Sequence, residues 1–210
     1  MYIGEKQLEK WGIVTGFVIG APRVRTKKYD VPGRMGNIDA TEALTGYPVY
    51  DNRDIRIELH ISAKSPEEYQ ELYDEIYKYC HGKIKTITFP FDSDFCYEGR
   101  LDVSVSQTDK SHGNVSITAD CYPYALKKRV TAVNISSKSA ESRVIQLNNA
   151  GMPTKLTIET DAPITVTRGK KTVVYSAGKT TMHAPLLIES EEITVSGAAE
   201  ATIYYQEGKI

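Results

Sequence analysis

Asp54-Ile55-Arg56-Ile57-Glu58-Leu59-His60-Ile61 alternates strictly between aliphatic and polar residues. Successive side chains of a strand point to opposite faces, so this octet buries one face and wets the other. Ser65-Pro66-Glu67-Glu68 then supplies a helix start, with Ser65 as N-cap, Pro66 at the first turn and Glu68 closing a capping box. Tyr69, Leu72, Tyr73, Ile76 and Cys80 recur at three- and four-residue steps, which predicts one amphipathic helix over Pro66 to His81, ended by Gly82. Ile84 to Phe89 and Tyr97 to Val105 flank a turn at Pro90 to Asp94 and read as a long hairpin; Asn114 to Cys121 alternates again. Upstream, the apolar run Trp11 to Ala21 is interrupted by Gly12, Gly16 and Gly20 and reads as two short strands. It is too short to span a bilayer, and Glu5 and Glu9 spoil the charged start of a signal peptide.

The texture changes after the basic run Lys127-Lys128-Arg129. Leu156-Thr157-Ile158, Ile164-Thr165-Val166, Val173 to Tyr175, Ile193-Thr194-Val195 and Ile203 to Tyr205 are short alternating segments. Asn148 to Gly151, Asp161-Ala162-Pro163, Arg168-Gly169 and Ser176 to Gly178 punctuate them. Short strands at turn-limited spacing predict a small all-β sandwich. The expectation is therefore mainly β: residues 1–128 as a β-sandwich or split barrel with one main α-helix, and residues 129–210 as a small all-β sandwich. No internal repeat or low-complexity tract is visible.

The chain has 210 residues with Lys+Arg 26 against Asp+Glu 27, a formal net charge of -1. That balance argues against non-specific binding to nucleic acid or an anionic membrane. Cys80, Cys96 and Cys121 are odd in number and lack CxxC spacing, so neither a disulfide framework nor a zinc site is expected.

Tyr29 to Arg53 is dense in residues that set the backbone. Pro32-Gly33 is a strong turn signal, and Gly36-Asn37 and Gly46 allow further left-handed positions. Arg34, Asp39, Thr41 and Glu42 lie close enough in sequence to pair with one another or with a neighbouring chain. The stretch reads as a shaped, rigid, polar loop. Together with segments farther along the chain, the loop resembles the distal tail protein family of long-tailed bacteriophages and prophages. The resemblance rests on Asp30 to Arg34, Gly36, Asp39, Thr41 to Gly46 and Tyr50 to Arg53. It continues at His81-Gly82-Lys83, Tyr97 to Leu101 and Asp120 to Tyr124, roughly the first three-fifths of the chain. Met35 departs from it, since an acidic residue is usual between Arg34 and Gly36, so any pairing of Arg34 must differ here.

The resemblance implies a ring of six copies at the tail tip of a phage, prophage or tail-derived bacteriocin, assembled in the host bacterial cytoplasm. That ring would join the tail-tube and tape-measure proteins to hub or receptor-binding proteins, and the resemblance implies that the sandwich at residues 129–210 is lectin- or jelly-roll-like. Its expected interface residues are Asp30, Pro32, Gly33, Arg34, Gly36, Asp39, Thr41, Glu42 and Arg53.

Other chemistry is sparse. Cys80-His81 juxtaposes a thiol and an imidazole, but adjacent helical residues face different ways, so Cys80 reads as core and His81 as a helix-end residue. Asp92-Ser93-Asp94 could hold a hard cation, although a hairpin turn favours the same residues. His60, His112 and His183 lack ligand spacing. Arg23, Arg25 and Lys27 read as a solvated edge or subunit contact, and Glu189 to Glu192 as a solvated loop. There is no phosphate-binding glycine loop, nucleophile elbow or H-E-x-x-H, so neither an enzyme nor a cofactor is expected. A carbohydrate-binding module is the alternative, with Tyr175, Tyr204 and Tyr205 as stacking candidates. Alternation sends Tyr204 and Tyr205 to opposite faces, which favours a scaffold for partner proteins over glycan binding.

Overall fold

The computed structural model describes residues 1–107, 111–136 and 141–210; at 106, 107 and 183–185 it describes the backbone alone. The chain divides into two compact units, Met1–Pro123 and Tyr124–Ile210. Among the described residues it is mainly β with one α-helix, as the alternation and the single capped stripe predict.

In chain order the first unit contains β1 (Tyr2–Ile3), β2 (Lys6–Gln7), β3 (Ile13–Ile19), β4 (Lys28–Tyr29), β5 (Ile38–Asp39) and β6 (Arg53–Ser62). Next come α1 (Pro66–Cys80), β7 (Ile84–Thr88), β8 (Phe95–Gln107) and β9 (His112–Cys121). Seven strands make one antiparallel sheet in the order β3-β6-β9-β8-β7-β1-β2. The octet at Asp54 lies in β6, where Arg53, Ile55, Ile57, Leu59 and Ile61 are buried. Val115, Ile117, Ala119 and Cys121 on β9 and Leu101 and Val103 on β8 are buried with them. The sheet is curled, because Phe17 on β3 lies 4.9 Å from Phe89 at the end of β7, four strands away.

Trp11 to Ala21 gives one strand where two were expected: β3 runs through Gly16, and the register shift between Val14 and Gly16 absorbs the interruption as a bulge. Helix α1 packs on β8 and β9 and buries Tyr69, Ile76 and Cys80. Ile76 alone contributes about 1.5–3 kcal/mol by leaving water. Its capping differs from the expected box in one atom pair. Glu68 N–H donates to Ser65 Oγ at 3.2 Å, but the Glu68 carboxylate accepts from Lys64 N–H at 2.7 Å, one residue ahead of the cap.

The second unit contains β10 (Ala125–Lys127), β11 (Thr131–Ser136), β12 (Arg143–Thr160), β13 (Ile164–Arg168), β14 (Lys171–Tyr175), β15 (Gly178–Ser196), β16 (Glu200–Tyr205) and β17 (Gly208–Lys209). The long strands β12 and β15 pair along their length, and register shifts between Leu147 and Leu156 bend the ribbon. Beyond the bend β12 also pairs with β16, and β16 with β11. The other end of β15 pairs with β13, and β13 with β14. Two sheets thus share one ribbon around a core that includes Leu147, Leu156, Ile158, Val166, Ile193 and Ile203.

Two sequence expectations fail here. Asn148 to Gly151 is not a turn between strands but the bulge inside β12, and Glu189 to Glu192 is not a loop but part of β15. Asn149 explains the first, since its amide donates to the carbonyls of Met152 and Leu187 at 2.6 and 3.0 Å and so pins an irregular stretch that the ribbon continues past. Arg168 explains part of the second by holding Glu191 at 2.5 Å from β13. Lys127 is likewise a strand residue, paired with Glu207 at 2.8 Å.

Candidate functional site

Residues 20–52 leave the curled sheet as an arm. Arg25 N–H donates to Val49 carbonyl and Asp51 N–H to Arg23 carbonyl, both at 2.8 Å, and Val24 bridges Tyr50. Farther out, β4 and β5 pair Lys28 with Asp39 and Tyr29 with Ile38. An ion pair, Arg25 Nε to Asp51 Oδ1 at 2.5 Å, ties the two limbs at the root. Arg23, Arg25 and Lys27 therefore line the outgoing limb, with Lys27 Nζ 5.6 Å from the Tyr29 ring centroid.

The lateral loop after β5 is built as its composition suggests. Asp39 Oδ1 accepts from Thr41 N–H at 2.9 Å, and Thr41 Oγ1 accepts from Lys27 N–H at 3.0 Å. The Thr41 bonds, its hydroxyl's first and then its amide's, hold the Asp39 carboxyl below its usual range. Gly46 N–H closes on Glu42 carbonyl at 2.7 Å. Gly33, Gly36 and Gly46 take φ of 81°, 74° and 75°, the left-handed values their neighbours would resist.

Of the expected pairings, only Asp39 with Thr41 is made. The side chains of Asp30, Arg34 and Glu42 have no hydrogen-bond or ion-pair partner among the described residues. Arg53 sits apart from the others, buried at the foot of the arm with its guanidinium 5.2 Å from the Tyr97 ring centroid. The arm is also less polar than its turn residues suggest. Every residue from 25 to 39 is exposed, Met35 completely and Leu44 to 93 %, with Tyr29, Val31 and Ile38 beside them. Sequence reasoning missed these apolar tips; the turns marked by Gly33, Gly36 and Gly46, near Met35 and Leu44, were the available signal.

Cys80 and Cys121 are buried, which pushes their thiols up to about 11 and about 12. His81 lies just past α1, stacked 4.3 Å from the Tyr77 ring and 2.7 Å from Asp102. Asp92 and Asp94 lie at the β7–β8 turn, and no group of three potential metal ligands occurs among the described residues. His60 and His112 meet across β6 and β9 with ring centroids 6.4 Å apart, a contact their spacing does not reveal. The side chain of His183 lies outside the described ones. Tyr205 is buried and accepts from Asn148 N–H at 3.1 Å. Tyr204 faces outward in a groove of about 520 Å³ with Asn134, Glu159 and Thr202. Lys179 Nζ stands 5.1 Å from its ring centroid, over one face of the ring.

No family model matches the chain, and no curated protein matches its sequence. Its architecture matches the crystal structure of SPP1 Dit, described as a paradigm of the hub adsorption apparatus in phages that infect Gram-positive bacteria. The TM-score is 0.71 at 12% sequence identity, over 99% of this chain and 98% of that one. The chain has the SPP1 Dit fold. A de novo designed double-stranded β-helix matches 39% of the chain and 100% of its own at 14% identity and a TM-score of 0.26, too low to bear on the Dit fold. Both units take part in the likeness, since it covers nearly the whole chain. No helix among the described residues is long and apolar enough to cross a membrane.

Proposed function

We propose that this chain is a structural protein of a phage or phage-derived tail tip, in which six copies close a ring through the arm at residues 20–52. The single observation that carries the reading is the Dit fold over 99% of the chain, since SPP1 Dit belongs to a hub adsorption apparatus. The arm supports it physically. A ribbon that exposes Met35, Leu44, Tyr29 and Ile38 has no core of its own, and such apolar surface is normally covered by a partner. The edge strand β3 adds Ile13 and Val18, both exposed, beside Phe17, which stacks on exposed Phe91 at 6.0 Å. A head-to-tail contact closes only when its rotation divides a full turn, so a rigid arm helps to fix the copy number.

In this reading the ring joins the tail-tube and tape-measure proteins to hub or receptor-binding proteins. It acts mechanically rather than as an enzyme, and is made in the bacterial cytoplasm before residing in the virion. The second unit serves as a docking scaffold, because Tyr205 is buried and Tyr204, an outward-facing candidate for sugar stacking, has the Lys179 ammonium over one face.

The test is assembly. Met35→Ser with Leu44→Ser removes the most exposed apolar tips and should leave the monomer folded by circular dichroism. Ring particles should disappear from sedimentation velocity and from electron micrographs. A reconstruction of the assembled tail tip in which residues 30–46 face solvent would overturn the reading.

A further inference from the structure

Arg53 opens β6 and points to the same buried face as Ile55, Ile57, Leu59 and Ile61. It is 4 % exposed, and its Nε and Nη2 are shut off from solvent without a hydrogen bond among the described residues. The ring of Tyr97, 5.2 Å away, is its cation–π partner. Nearby acids are engaged or face away. Asp51 is held by Arg25, while Asp54 and Asp120 sit opposite each other on the exposed face of β6 and β9. Cys121, the register partner of Arg53, is buried with its thiol protonated and brings no negative charge.

A buried charge without its bonds is strongly unfavourable, and a tyrosine face offsets part of that cost. The two unmade donors have a specific shape. Nε–H and Nη2–H project side by side from one edge of the guanidinium, the geometry that grips both oxygens of a carboxylate. Arg53 also comes directly after the arm, whose inbound limb ends at Tyr50 and Asp51. Strain or movement of a docked arm therefore acts on the strand end that carries the fork. The arm itself holds two exposed carboxylates with no partner among the described residues, Asp30 and Glu42, while Asp39 is engaged by Thr41. From Arg23 to Asp30 an extended limb reaches about 25 Å at roughly 3.3 Å per residue, enough to reach an adjacent copy.

Resting on the ring reading above, we propose that the fork of Arg53, sealed in the free chain, is uncovered as the docked arm pulls on the start of β6 and receives a carboxylate from a neighbouring copy's arm, Asp30 or Glu42, when the ring closes. The chain thus carries an unmet buried charge as a monomer and satisfies it in the assembly. This favours the closed ring over the free subunit and makes closure selective for a correctly seated arm.

The experiment compares wild type, Arg53→Met, Asp30→Asn with Glu42→Gln, and the triple variant. Thermal melting is monitored at dilutions where the chain is monomeric, and sedimentation velocity across a concentration series. Arg53→Met should leave the monomer Tm unchanged or raise it, because it removes an unpaired buried charge. It should raise the concentration for half-assembly by at least about tenfold, as expected when one side of a buried ion pair is removed. The two-acid variant should show a similar assembly loss, and the triple variant no further loss, since all three groups belong to one contact. A monomer Tm lowered by Arg53→Met would show the guanidinium already satisfied within its own chain and overturn the inference. So would a ring that Arg53→Met leaves intact, or additive losses in the triple variant. A wild-type chain that forms no ring, alone or in assembled tail tips, overturns the ring reading itself, and the inference with it.

Discussion

Phe17 on the edge strand β3 lies 4.9 Å from Phe89, which follows β7 four strands across the same sheet, and Phe89 in turn meets Tyr97 edge-on at 5.9 Å. This contact brings the β3 edge of the curled sheet back over the end of β7. Phe89 is 1 % exposed while Phe17 is 44 % exposed, so the two sides of the contact have different weights. Phe89→Ala should cost about 3–5 kcal/mol in urea unfolding, the usual range for a buried phenylalanine. Phe17→Ser should cost clearly less. Equal losses would mean that Phe17 is covered in the free chain.

Gly99 faces Asp120 and Cys121 across β8 and β9. A Cβ there would stand 2.5 Å from Asp120 carbonyl oxygen and 2.6 Å from Cys121 Sγ. Gly99→Ala should therefore separate the strands and yield insoluble or strongly destabilised protein. Gly36→Ala meets open space and suffers only from its left-handed φ, a cost of about 1–2 kcal/mol confined to the arm. Soluble expression and melting of the two variants distinguish them.

The buried thiols give a chemical readout. Thiolate is the reactive form, and burial pushes Cys80 up to about 11 and Cys121 up to about 12. With a thiol reagent at pH 8, Cys96 should label first and the other two only after denaturation. The raised values also carry a sign. Their contribution to stability is complete below the ordinary thiol value of 9.0 and is lost as pH rises through about 11 and 12. Rapid labelling of all three in native buffer would contradict the burial.

Asp39 should make the arm's lateral loop sensitive to acid. Its carboxyl is held below the ordinary value of 3.8 by bonds from Thr41, so the ordering it provides is present above that value. It is lost as pH falls through the lowered one. Asp39→Asn should retain part of the loop and remove this titration. Hydrogen exchange at the Thr41 amide, tracked from neutral pH into acid, is the measurement.

Ser65→Ala should cost about 1 kcal/mol by removing the acceptor for Glu68 N–H. Glu68→Gln should cost less, because an amide oxygen can still accept from Lys64 N–H. Chemical denaturation of the two variants checks the order.

The period-two pattern of Asp54 to Ile61 and the stripe from Tyr69 to Cys80 were sufficient to predict a β-rich chain with one helix. Both patterns report directly which side chains leave water. The glycines at 33, 36 and 46 likewise marked the arm's turns, because positive φ is a local demand that sequence must meet locally. Pairing over distance was not legible. That Asn148 to Gly151 bulges within β12, that Glu191 lies on a strand beneath Arg168, and that β3 curls back to Phe89 depend on neighbours remote in the chain. Arg53 shows the division most clearly. Sequence placed it at the end of the arm beside the other interface candidates, and alternation alone puts it on the face of Ile55. Only the tertiary fold decided that this face closes over it with Tyr97 as company and, among the described residues, no carboxylate at Nε or Nη2. Burial and hydrogen-bond satisfaction are properties of the packed surroundings, not of local spacing.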